Sequence, residues 1–142
     1  MITHMSGLNQ AIDQFMSAQR FAVAGASDDP EKYGHKCFAA LLSRGCNVVP
    51  LNPRAKDVLG MPAYPNLAAL PEKVESLSVV TPPRVTEKLL DEAVAAGVKN
   101  VWMQPGAEPE DTASLERARA AGVNLIYGGP CLLVELAVRK RK

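Results

Sequence analysis

Five short segments hold most of the residues able to do chemistry: Gly25-Ala26-Ser27-Asp28, Asn52-Pro53-Arg54, Thr81-Pro82-Pro83, Gln104-Pro105-Gly106 and Gly128-Gly129-Pro130-Cys131. The first has the character of a relaxed phosphate loop. Gly25 permits a sharp turn, and Ser27 offers both a backbone N–H and a hydroxyl to a phosphate oxygen. A helix following this loop aims its positive end at the same place. The strict G-x-G-x-x-G pattern is absent, because Ser27 stands at the second glycine position and the spacing to Gly34 is long. A plain turn, with Asp29 and Pro30 starting a helix, accounts for the same residues.

The second segment discriminates between ligands. A site for NAD ends its second strand with a carboxylate that holds the ribose diol. Here the chain reads Asn52-Pro53-Arg54, without one. A guanidinium at this place favours a ribose carrying an extra phosphate, as in coenzyme A or NADP, unless Arg54 is only a solvated loop residue. Thr81-Pro82-Pro83-Arg84 forms a rigid wall that lacks proline donors and suits a flat ring or an aliphatic arm. The same prolines also mark a helix start.

Catalytic groups are sparse. His35 sits beside the first segment and reads as a helix-surface histidine able to reach a phosphate. Asp28, Asp29 and Glu31 suit a helix N-terminus, where the dipole favours anions. Cys131, after Pro130, falls in the expected first turn of the last helix, where the dipole favours a thiolate. It reads either as a reactive thiol facing the ligand or as an inert, buried one. No nucleophile–base–orienter set is visible, so no catalytic or metal-binding residue is assigned.

These segments must be positioned by the elements between them. Phe21-Ala22-Val23-Ala24 reads as a buried strand stopped by Gly25, and residues 37–42 as a helix closed by Gly45. Val48-Val49-Pro50-Leu51 is a second strand, placed at or near an edge by Pro50. Residues 56–65 are turn-rich, and 66–70 form a helical turn before Pro71. Leu77-Ser78-Val79-Val80 is a third strand. Residues 84–96 place Val85, Leu89, Leu90, Ala93 and Val94 on one helical face. Val101-Trp102-Met103 reads as a core strand, 111–121 as a helix, Leu125-Ile126-Tyr127 as a strand, and Pro130 as the start of a final helix. That helix ends in cationic Arg139, Lys140, Arg141 and Lys142. Residues 5–19 suit a leading helix covering a face or edge of the sheet. Strand and helix in alternation define an α/β chain: a single Rossmann-like domain with an open parallel sheet of about five strands and helices on both faces.

The bulk properties fit that architecture. A chain of 142 residues holds one domain, with 47% hydrophobic and 22% charged residues as in ordinary globular proteins. The net charge of +1 gives no footprint for nucleic acid. No apolar run is long enough to cross a bilayer and no signal segment opens the chain, which places it in the cytoplasm. Cys37, Cys46 and Cys131 lack metal-ligand spacing and form no disulfide framework. Met1-Ile2-Thr3-His4-Met5 reads as a vector remnant, so 1–7 is set apart as a tag or disordered N-terminus and 8–142 as the domain.

In this order and spacing the motifs resemble a family. Val23-Ala24-Gly25-Ala26-Ser27, Val49-Pro50-Leu51-Asn52-Pro53, Val58-Leu59-Gly60, Ala63-Tyr64-Pro65-Asn66-Leu67 and Val101-Trp102-Met103-Gln104-Pro105-Gly106 match the small stand-alone CoA-binding proteins of bacteria and archaea. Their domain is similar to the N-terminal CoA-binding domain of the succinyl-CoA synthetase α subunit. The resemblance implies CoA phosphates at Gly25, Ala26 and Ser27, and the adenosine end with its 3′-phosphate near Asn52, Pro53 and Arg54. It implies that Val80, Thr81 and Pro82 line the coenzyme, with Gln104 and Gly106 nearer the far end. Many members carry Lys at the position of Arg54, and the segment Gly129-Pro130-Cys131-Leu132-Leu133-Val134-Glu135 departs from the His- or Arg-containing endings of the family. The synthetase needs a second domain with a phosphorylated histidine; this chain ends before one, so ligase activity is not implied. The expected function is binding of coenzyme A or an acyl-CoA without catalysis. The alternatives are an NADP(H)-linked oxidoreductase or redox sensor, and an acyl-CoA-handling enzyme using Cys131. Oligomeric state and protein partners stay open.

Overall fold

The computed structural model describes residues 2–139. Met1, and the Lys140, Arg141 and Lys142 of the expected cationic end, lie outside them. In chain order the elements are α1 (Ile2–Met16), β1 (Phe21–Ala24), α2 (Tyr33–Ser43), β2 (Val48–Leu51), β3 (Asp57–Val58), β4 (Met61–Pro62), a 3-10 turn (Leu67–Ala69) and β5 (Ser76–Val79). There follow α3 (Pro83–Ala95), β6 (Asn100–Met103), α4 (Ala113–Ala120), β7 (Asn124–Ile126) and α5 (Leu132–Val138).

Five strands form one parallel sheet in the order β2-β1-β5-β6-β7, and β3 and β4 pair as a small antiparallel hairpin. Helices cover both faces, which is the expected Rossmann-like architecture. The central strands β1, β5 and β6 are buried at every position because both faces are covered. Side-chain alternation sorts the core into two layers. Ala22, Leu77, Val79, Val101 and Met103 pack with Leu89, Leu90, Ala93 and Leu115 of α3 and α4. Val23 and Trp102 pack with Ile12 and Phe15 of α1, Phe38 and Leu41 of α2, and Leu132 and Leu136 of α5.

Pro50 predicts an edge, and β2 occupies one. The backbone of Tyr64 partly covers it: Tyr64 N–H donates to the Pro50 carbonyl at 3.1 Å, and Asn52 N–H to the Tyr64 carbonyl at 2.9 Å. The leading helix spans Ile2–Met16 rather than 5–19 and lies over β6 and β7. Phe15 meets Trp102 edge-on at 5.3 Å between ring centroids. A polar ladder fastens the helix further: Ser76 Oγ donates to the Phe15 carbonyl at 2.7 Å, and Asn124 Nδ2 to the Ala11 carbonyl at 2.9 Å.

Several expected boundaries shift. The helix after β1 starts at Tyr33, one turn ahead of the expected 37–42. It does not reach back to Asp29, where the plain-turn reading starts it, because the loop's backbone is held first by its own side chains. Asp29 N–H donates to Ser27 Oγ at 3.0 Å and Glu31 N–H to Asp29 Oδ1 at 3.0 Å, both competing with helical bonds. Val85 does not join the core face of α3. It is exposed, and Thr86 is buried in its stead with its hydroxyl on the Pro82 carbonyl at 3.2 Å and on Thr81 Oγ1 at 2.7 Å. The last helix starts at Leu132, so Cys131 is its N-cap rather than a first-turn residue, and β7 stops at Ile126.

Candidate functional site

Strand order reverses between β1 and β5: the chain runs outward from β1 to β2, then returns to the other side of β1. Ligands of open α/β sheets sit beyond the carboxyl ends of the strands at such a point. The segments after β1, β2, β5 and β6 all emerge here, as does Cys131.

The loop after β1 is built by close approach. Gly25 has φ +89°, and a Cβ on it would lie 2.5 Å from the Val80 carbonyl oxygen. Gly34, in the first turn of α2, lies against Gly25 itself, where a Cβ would sit 1.8 Å from its carbonyl oxygen. The helix therefore begins directly above the strand end, with its unpaired N–H groups close to the loop. His35 Nδ1 lies 3.0 Å from the Ser27 carbonyl, which fixes the loop from the helix side. Asp28 is occupied elsewhere: its Oδ1 accepts from Leu59 N–H at 2.7 Å, at the tip of the β3–β4 hairpin, where Leu59 has φ +50°.

Asn52 joins the first and second segments. Its Nδ2 donates to the Ala26 carbonyl at 2.8 Å, and its Oδ1 accepts from Arg54 N–H at 2.8 Å and Ala55 N–H at 3.1 Å. Asn52 is therefore a brace for the loop. Arg54 is exposed, with its backbone fixed by that turn.

Two clefts flank the loop. One, of about 290 Å³, lies between the β2 loop and α3, with Gly25, Pro53, Pro65, Thr81, Val85 and Leu89 among its walls and Asn66, Lys88 and Glu92 as its polar members. The other, of about 380 Å³, is lined by Tyr33, Val80, Thr81, Gln104, Pro105, Gly106, Ala107 and Cys131. Thr81 borders both. Of the residues expected from the sequence, Gly25, Pro53, Val80, Thr81, Gln104 and Gly106 line these clefts. Ala26, Ser27, Asn52, Arg54 and Pro82 stand beside them without lining either. Tyr33, Asn66, Lys88 and Glu92 were not expected. Lys88 and Glu92 have a signal in the sequence, since they lie one turn apart on the same side of α3 as Val85.

The second cleft ends at a buried Gln104. Its Oε1 accepts from Leu132 N–H at 2.7 Å, and its Nε2 donates to Cys131 Sγ at 3.4 Å. Partial burial raises the Cys131 thiol, but donation from Gln104 and from the Val134 and Leu133 amides lowers it, leaving its pKa below the ordinary thiol value. Cys37 behaves oppositely. Burial, with Cys131 nearby, pushes it up to about 12 against the lowering effect of the Ser78 hydroxyl. No disulfide joins the cysteines. Among the described residues no group of three or more His, Cys, Asp or Glu is placed to hold a metal ion, and no helix is long and apolar enough to cross a membrane.

Fold and site together define a Rossmann-like module with two clefts, sharing Thr81, at its topological switch point. A family model described as "CoA binding domain" matches residues 19–137, and the chain belongs to that family. It is 35% identical over 91 residues to the alpha subunit of the ADP-forming acetate–CoA ligase II of Pyrococcus furiosus, covering 63% of this chain and 20% of that one. It is 31% identical over 121 residues to the ADP-forming acetate–CoA ligase I of Archaeoglobus fulgidus, covering 78% and 17% respectively. The chain thus spans about a fifth of the length of these curated relatives. Among solved structures, a conserved hypothetical protein from Pyrococcus furiosus superimposes with a TM-score of 0.74 at 38% identity, covering 82% of this chain and 98% of that one. The chain is a CoA-binding module homologous to part of these ligases.

Proposed function

We propose that residues 8–142 bind coenzyme A or an acyl-CoA across the carboxyl ends of the strands, in the cytoplasm, as a binding module without catalytic chemistry of its own. One observation carries the reading: Thr81 lines both clefts, with Gly25 of the glycine loop lining one and Tyr33 at the start of α2 lining the other. A ligand with a nucleotide at one end, an arm at the other and a diphosphate between them suits that arrangement. Gly25, Ala26 and Ser27 hold the diphosphate. Asn52, Pro53 and Arg54 form the adenosine end, where positive charge replaces the carboxylate of an NAD site. Val80, Thr81 and Pro82 line the middle, and Gln104 and Gly106 the thiol end. The family match and the two ligase relatives support the coenzyme assignment.

A binding role fits these groups better than catalysis: His35 is directed to the Ser27 carbonyl, and among the described residues the side chain bonded to Cys131 is the amide of Gln104, which is no base. The acyl-CoA-handling alternative keeps one specific support, a lowered thiol in the arm-side cleft. Native mass spectrometry of the protein incubated with CoA and NADP tests the assignment. The expected species is a one-to-one complex with CoA; retention of NADP alone would favour the redox alternative.

A further inference from the structure

The nucleotide-side cleft contains a lysine for which the coenzyme reading has so far no use. Lys88 lies in the second turn of α3 and is the one cation among the residues lining that cleft. Its ammonium makes no ion pair or hydrogen bond among the described residues, although Glu92 follows one turn later on the same side. The opposite wall is apolar, formed by Leu51, Pro53 and Pro65, so a charge there acts through a medium less polar than bulk water. Asn66 also lines the cleft. Its Oδ1 accepts from Ala69 N–H at 3.0 Å, which leaves Nδ2 as a donor without a partner among the described residues. Arg54, beside Pro53, lines neither cleft.

We propose that Lys88, assisted by Asn66, selects a ribose that carries a phosphate, and so separates coenzyme A from dephospho-CoA. The inference rests on the reading that the adenosine end occupies this cleft. The diphosphate is already met by the glycine loop and the α2 N-terminus, so the anion left for Lys88 is the phosphate on the ribose. That group carries a charge of about −2 near neutral pH. Glu92, farther along the helix, disfavours an anion placed deeper. A lysine acts there as a point charge, without demanding the bidentate geometry of a guanidinium. Arg54 supplies general attraction from the rim.

Titration calorimetry at fixed ionic strength, with CoA and with dephospho-CoA, tests the assignment on the wild type and on Lys88→Met, Lys88→Arg and Arg54→Met. The wild type is expected to prefer CoA by about tenfold or more, the range for a charge-assisted contact. Lys88→Met should remove most of that preference by weakening CoA alone, Lys88→Arg should retain much of it, and Arg54→Met should weaken CoA and dephospho-CoA by a similar factor. Lys88 is exposed and has no partner among the described residues, so the unfolding midpoint of Lys88→Met should equal that of the wild type. Equal weakening of both ligands by Lys88→Met, or loss of the preference in Arg54→Met alone, would overturn the inference. A wild type that binds both ligands equally would also overturn it while leaving the coenzyme reading intact. A wild type that binds neither would remove both.

Discussion

Gly34 rests against the carbonyl of Gly25 so closely that a Cβ at position 34 would stand 1.8 Å from that oxygen. This contact sets where α2 begins relative to β1, and hence how near its unpaired N–H groups come to the loop that is to hold a diphosphate. In the G-x-G-x-x-G fingerprint a glycine serves close helix–strand packing. Here a longer loop intervenes, with the same consequence.

Gly34→Ala should therefore push helix and strand apart. The expected cost is ~1–3 kcal/mol, as for overpacking of a tight interior, together with a loss of CoA affinity larger than the stability change explains. Urea unfolding and calorimetry on the same preparation check this. Wild-type stability and affinity in the variant would show that the contact relaxes freely.

Ser27→Asp places a carboxylate where the diphosphate is proposed to lie. The Oδ atoms can still accept from Asp29 N–H, as the Ser27 hydroxyl does at 3.0 Å. Folding should therefore change little while CoA affinity falls by about tenfold or more, which is ~1.4 kcal/mol. Raising the salt concentration should reduce the deficit, since part of it is repulsion. A variant that binds CoA like the wild type would put the diphosphate elsewhere.

The fold was legible in the sequence because the central strands are short, largely apolar segments followed closely by Gly25, Pro82 or Pro105, with helix-length segments between them. The loop after β1 was legible in part. Gly25 and Ser27 advertise an anion site, but the role of Gly34 depends on a close approach across the intervening loop, which spacing does not reveal. Lys88 was missed for a different reason: it looks like the solvated face of an amphipathic helix, and only the position of α3 beside the β2 loop turns it toward a cleft. The bracing role of Asn52, through three hydrogen bonds within the protein, was not legible either, because it depends on the loops after β1 and β2 lying side by side.

The two thiols, shifted in opposite directions, give a pH-dependent prediction. Cys131 has its pKa held below the ordinary value, so its thiolate persists at lower pH than that of a free thiol, and its alkylation should fade only as pH drops through that depressed value. Cys37, pushed up to about 12 and fully buried, should stay unmodified in the native protein across neutral pH. Peptide mass spectrometry after timed iodoacetamide treatment resolves the sites. Saturating CoA should slow modification of Cys131, and Cys131→Ser should leave CoA affinity nearly unchanged. Equal labelling with and without CoA would remove the thiol from the arm-side cleft.

Gln104 links that thiol to the start of α5. Gln104→Leu should leave the buried Leu132 N–H without its acceptor, at a cost of ~1–3 kcal/mol. It should also remove a donor from Cys131, so that the midpoint of the alkylation-rate profile moves to higher pH. A destabilised variant with an unmoved midpoint would assign the lowered thiol to the Val134 and Leu133 amides alone.

The central claim, that the two clefts sharing Thr81 form a coenzyme A site, is tested most directly by calorimetric titration of the full chain with CoA and, separately, with NAD. Saturation by CoA at one molecule per chain, with affinity at least about tenfold above that for NAD, is the predicted result. Absence of CoA binding, or NAD binding as tightly as CoA, would contradict it.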